Sequence, residues 1–204
     1  MAPPVGMLIG HSFVYGLQQH LDPHDQASPS EIARKLSIHR IVHSFHLYGQ
    51  RGAQVCSRSY ALPHRQLTHV KPDFVILDLG SNDLASDIPP FQVATKLVEL
   101  ADTLRSRYHV NTVIISSVLN RQAHLRHITP EQFSTAAFQT NNYIKNFVDS
   151  HPHLTYHVHK GFWAHSSDIW SRDGVHPNTQ AGRQKYVKSI RKAVFTALQP
   201  FTSR

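Results

Sequence analysis

Short apolar runs alternate along this chain with longer amphipathic segments, and that alternation most constrains what it can fold into. Val5–Ile9 is brief, apolar and followed by Gly10, the pattern of a buried strand. From Ser12, apolar residues recur at Phe13, Leu17 and Leu21 until Asp22-Pro23 stops them, which predicts a helix. Further strands are expected at Ser44–Tyr48, Phe74–Leu79 and Thr112–Ser117, with a weaker one at Leu154–His159. Pro89-Pro90 opens a helix to about Tyr108, carrying Val93, Leu97, Leu100, Ala101 and Leu104 on one face. Thr129-Pro130-Glu131-Gln132 has the form of a capping box at the start of another helix, and Gln180–Leu198 reads as the last. The polar stretch Asp22–Pro29 reads as a mobile loop. Strands that alternate with helices predict an α/β fold of about five parallel strands covered on both faces, with ligands at their carboxyl ends. No linker or repeat interrupts residues 1–204, so one domain is expected.

Composition narrows the class. The 40% of apolar residues are mixed with polar ones, and no run approaches the ~20 residues of a membrane-spanning helix. Met1-Ala2-Pro3-Pro4 lacks the positive charge of a signal peptide, which favours an intracellular, cytoplasmic protein. Cys56 stands alone, excluding an internal disulfide and any multi-cysteine zinc site. The net charge of +8 favours anionic partners, an acidic lipid surface or nucleic acid, and fits a solvated basic surface equally well. Arg34-Lys35, Arg105/Arg107 and Arg121/Arg126 are dispersed, and no nucleic-acid motif accompanies them. Lys185, Lys188, Arg191 and Lys192 share one face of the final helix, as an anionic surface or a solvated helix face would have it.

The 17 histidines are scattered. His157 and His159 alternate on one strand face near His151 and His153, the spacing of a chelating pair, but no carboxylate or cysteine nearby completes it. A solvated edge strand shows the same alternation. No metal and no organic cofactor is expected.

Polar clusters follow the predicted strands: Gly10-His11-Ser12, Gly49-Gln50-Arg51-Gly52-Ala53 and Gly80-Ser81-Asn82-Asp83, with Asp173-Gly174-Val175-His176 before the last helix. Singly each is weak, since Ser12 reads as a helix cap and Asp173-Gly174 as a turn. Together they supply an acyl-transfer site. A serine hydroxyl needs a base, His176; the base needs an acceptor for its other N–H, Asp173. The oxyanion needs donors, which the Gly52 N–H and the Asn82 amide can provide.

In order and spacing these four blocks resemble the SGNH hydrolases, the GDSL esterase/lipase superfamily, across nearly the whole chain. The resemblance implies a flavodoxin-like α/β/α sandwich with strand order 2-1-3-4-5. It makes Ser12 the nucleophile, His176 the base and acid, and Asp173 its orienting carboxylate. The Ser12 N–H, Gly52 N–H and Asn82 side chain would form the oxyanion hole. Gly52 is preferred to Gly49 because the small Ala53 follows it. The family usually carries Asp before the nucleophile, where this chain has His11, a change in the hydrogen bonds that hold the nucleophile loop. The implied function is a serine esterase for short acyl, acetyl or lipid esters, with Phe162, Trp163, Ile169 and Trp170 as an acyl-contact surface or as ordinary packing. Basic domains of this type also resemble the esterase domain of first open-reading-frame proteins of non-LTR retrotransposons. A catalytically weak module binding anionic lipid or nucleic acid is the alternative.

Overall fold

The computed structural model describes residues 3–58, 60–123, 127–162 and 168–202. In chain order the elements are β1 (Val5–Gly10), α1 (Ser12–Leu21), α2 (Pro29–Lys35), β2 (Ser44–Gly49), α3 (His64–Val70), β3 (Phe74–Asp78), α4 (Ser81–Leu84), α5 (Pro90–Tyr108), β4 (Thr112–Ser116), α6 (Pro130–Asp149), β5 (Leu154–His157) and α7 (Gln180–Thr202). The strands form one parallel sheet in the order β2-β1-β3-β4-β5, so the chain reverses direction across the sheet beside β1.

The strands are apolar on both sides because helices cover both. Alternation sends Met7, Ile9, Val75, Leu77, Val113 and Ile115 to one face, where Val93, Leu97, Phe133 and Ile144 of α5 and α6 meet them. Leu8, Phe45, Phe74, Ile76 and Ile114 face the other side, against Phe13 and Leu17 of α1, Ile32 of α2 and Ile190 and Val194 of α7. The long helices start where their sequences say. Pro90 opens α5, and Thr129 caps α6 while the Gln132 side chain accepts from the Thr129 N–H at 2.8 Å.

The strand predicted to His159 ends at His157, and that predicted to Leu79 ends at Asp78. The segment read as a mobile loop is a capped turn: the buried Asp22 carboxylate accepts from the Gln26 N–H at 2.8 Å, and Ser28 and Glu31 box the start of α2. Helices α2, α3 and α4 occupy stretches for which the sequence predicted none. Phe162, Ile169 and Trp170 are core residues packed with Phe13 and Tyr186, not a contact surface. Trp163 and Arg126 lie outside the described residues. No described helix is long and apolar enough to cross a membrane.

Candidate active site

The carboxyl ends of β1, β2 and β3 carry three of the polar clusters, and the loop before α7 brings the fourth to them. Ser12 is the first residue of α1, so its backbone N–H belongs to the helix end that has no internal partner and carries the positive pole of the helix dipole. Its Oγ lies 2.8 Å from His176 Nε2, and His176 Nδ1 lies 2.6 Å from Asp173 Oδ2. The second carboxylate oxygen of Asp173 accepts from the N–H groups of Val175 (2.8 Å) and His176 (3.0 Å) and from the Ser171 hydroxyl (2.7 Å). Partial burial pushes this carboxyl up, but those bonds outweigh it and hold it well below the usual carboxylate range. Gly174, at φ +63, makes the turn that lets carboxylate and imidazole meet.

Gly52 and Asn82 line the same cavity as Ser12 and His176, a space of about 820 Å³. Gly52 sits at φ +68 with open space where a side chain would be. Gly49, the other candidate, is pressed against α1, where a Cβ would stand 2.2 Å from the Tyr15 nitrogen. The loop after β2 is pinned from α4. Asn82 Nδ2 donates to the Ala53 carbonyl (3.1 Å), and the buried Asp83 carboxylate accepts from the N–H groups of Val55 (3.1 Å) and Cys56 (2.8 Å).

Arg121 is a site residue the sequence did not single out for this role. Its buried guanidinium donates from Nε to Ser81 Oγ (2.8 Å) and from Nη2 to Asn82 Oδ1 (2.6 Å). That bond fixes which end of the Asn82 amide accepts and leaves its NH₂ as the donor end. Burial lowers the guanidinium to about 10, with the Asp173 charge opposing, so it stays cationic at neutral pH.

His11, in place of the family's usual Asp, is fully buried and caps α1. The Phe13 N–H donates to its Nδ1 at 3.5 Å, and Ser12 Oγ lies 3.4 Å from the same atom. With Nδ1 accepting, the ring proton sits on Nε2, which points towards Asp78 Oδ1 at 4.0 Å. Asp78 also accepts from the Tyr186 hydroxyl and faces His159 Nε2 at 3.5 Å. His157 and His159 are neither solvated nor a chelating pair. Both are buried under α7, where their rings share the Ser189 hydroxyl at 2.9 and 2.8 Å. Among the described residues no three His, Cys, Asp or Glu side chains converge as a metal site.

Burial holds His11 at about 4, against the opposing pull of Asp78. The unfolded chain therefore takes up a proton below pH 6.5 that the native state refuses until about 4. Stability falls as pH drops through that window, by about 3 kcal/mol from this group when the window is crossed. Thermal melts between pH 7 and 4 should show His11→Asn, which keeps a capping acceptor, declining less steeply than wild type; parallel declines would remove His11 as the source.

A sequence model of the GDSL-like lipase/acylhydrolase family matches residues 8–184. No curated protein sequence matches the chain. Among solved structures, a GDSL-like lipase from Bacteroides thetaiotaomicron superposes with a TM-score of 0.64 at 16% identity, covering 96% of this chain and 89% of that one. A carbohydrate esterase of family 3 from Talaromyces cellulolyticus gives 0.66 at 16%, covering 97% and 99%. An acetyl esterase variant crystallised with an acetate ion gives the same values. The structural likenesses carry the fold and the family match carries the membership: the chain belongs to the GDSL-like lipase/acylhydrolase family and is a carboxylic ester hydrolase.

Proposed function

We propose that this protein is a serine esterase that cleaves short acyl esters through an acyl-enzyme on Ser12. The observation that carries this is the line from Ser12 Oγ to His176 Nε2 to Asp173, opening on the cavity that Gly52 and Asn82 also line. His176 Nε2 takes the Ser12 proton as Oγ attacks the ester carbonyl. The oxyanion that forms is met by the Ser12 N–H, the Gly52 N–H and the Asn82 amide. Collapse expels the alcohol, which leaves with the proton from His176. Water then attacks the acyl group, again giving its proton to His176, and the carboxylic acid departs as Ser12 is restored.

The cavity wall supports short acyl groups. Among its described lining residues Val175 is the one aliphatic side chain, so a long acyl chain would find little apolar surface to cover it. Across 4-nitrophenyl acetate, butyrate and octanoate, kcat/KM should fall with length; a rise towards octanoate would overturn the short-acyl reading. A fluorophosphonate should label one residue, and peptide mass spectrometry should place it on Ser12. Labelling elsewhere, or none in an enzyme that hydrolyses the acetate, would remove Ser12 as nucleophile. Asn82→Ala should lower kcat by about 10²–10³, the usual loss when one oxyanion donor goes, with KM little changed.

A further inference from the structure

The cavity beside Ser12 is walled along one side by α1, which contributes Ser12, Tyr15, Gly16, Gln19 and His20. Two exposed arginines from other elements lie on that wall. The Arg51 guanidinium stacks over the Tyr15 ring at 4.5 Å from its centroid, and Arg183 Nη1 lies 3.5 Å from His20 Nδ1. Tyr15 and His20 stand five positions apart on α1, a rise of roughly 7.5 Å and a turn of about 140°, so Arg51 and Arg183 meet the cavity at different points of its wall. Arg121 adds a third, buried cation at the Ser12 end.

Among the described residues no carboxylate lines this space, although the chain has 13. The nearby Asp173 is engaged by His176, Val175 and Ser171, and Asp22 beyond the end of α1 accepts from Gln26. Among the described residues neither Arg51 nor Arg183 is within ion-pair distance of a carboxylate. A guanidinium stacked on an aromatic face is held in place with its N–H edge free, the arrangement that takes a planar carboxylate or a phosphate through paired bonds. A groove lined by one sign of charge also concentrates ligands of the other.

Resting on the serine-esterase reading, we propose that the ester cleaved here is a small soluble one whose alcohol part carries an anionic group, a phosphate or carboxylate, seated between Arg51 and Arg183. The acyl group lies at Ser12, and the alcohol runs along α1 to the arginines. Along the helix axis the midpoint between Tyr15 and His20 lies roughly 8 Å from Ser12, which sets the length of the esters that test the site.

The test compares phenyl acetate with 4-acetoxyphenyl phosphate and 4-acetoxybenzoate, which differ in the charge at that distance. In wild type, the ratio of kcat/KM for an anionic ester to that for phenyl acetate should fall at least fivefold from low to high salt. Arg51→Gln and Arg183→Gln should each lower the ratio about tenfold, and whichever anion shows the larger loss is the one the site takes. Calorimetry on Ser12→Ala protein reads the groove without turnover. 4-Hydroxyphenyl phosphate or 4-hydroxybenzoate should bind, phenol should not, and the added double arginine substitution should weaken binding at least tenfold. Hydrolysis of phenyl acetate with a ratio that neither salt nor the substitutions move would overturn the anion site and leave the esterase. Arginine-dependent binding in a protein that hydrolyses none of the esters would overturn the esterase reading and leave an anion groove. Absence of both overturns both.

Discussion

Ser12→Ala should lower kcat for 4-nitrophenyl acetate by about 10⁴–10⁶, the scale on which hydroxyl nucleophiles of this kind are lost, and His176→Ala should lower it as far. The expectation follows from the geometry. Ser12 Oγ has its base at 2.8 Å and opens on the cavity, and the first turn of α1 holds it there. The double variant should be little worse than either single one, since in the proposed mechanism the two residues move one proton in one step. In the proposed mechanism the residual rate would come from Gly52 and Asn82, which would still present donors to water-driven hydrolysis. Alanine is a good helix former and His11 still caps α1, so the variant should melt within a few degrees of wild type. A Ser12→Ala protein that keeps its rate would place the attack on a water or on another side chain, and the acyl-enzyme would be given up.

The four blocks were legible because each is local: a strand end read from its apolar run, then three or four residues of the right chemistry. Strand order is not local, and it came from the family resemblance rather than from periodicity. Arg121 was beyond reach because its partners, Ser81 and Asn82, are 40 and 39 residues away. In the sequence it is one more dispersed cation; only burial shows that it holds Asn82. Asp78 and Tyr186 were hidden in the same way, one inside a strand and the other on the core face of the last helix. The alternation of His157 and His159 did put them on one face, but nothing local says that α7 lies over it. By contrast α2 had a readable start, Ser28-Pro29-Ser30-Glu31, a capping box with Pro at the first position. Seven residues carry too little periodicity to stand out from the polar stretch before them. Helices α3 and α4 have neither a side-chain cap nor length, so nothing in the sequence announces them.

Asp173→Asn should lower kcat by about 10⁴, the loss known when a triad carboxylate becomes an amide, while KM changes little. The carboxylate has two tasks, divided between its oxygens. Oδ1 accepts from the Val175 and His176 N–H groups and the Ser171 hydroxyl, which holds the loop; Oδ2 accepts from the imidazole Nδ1–H. Asparagine keeps the first task, because its carbonyl oxygen can replace Oδ1, and so the fold and the binding surface survive. It fails the second, because its NH₂ then faces Nδ1 and can only donate. The ring is driven to carry its proton on Nε2, the atom that must receive the Ser12 proton, and the base is lost with every heavy atom in place. Since the bonds to Asp173 keep it ionised well below the usual carboxylate range, its protonation cannot account for an acid limb in the wild-type pH–rate profile. Rates from pH 5 to 9, with fluorophosphonate labelling at each pH, measure both the loss and its pH dependence. A loss of less than about tenfold would show that the His176 ring is oriented without Asp173, which would then be a loop residue and the site a Ser-His pair.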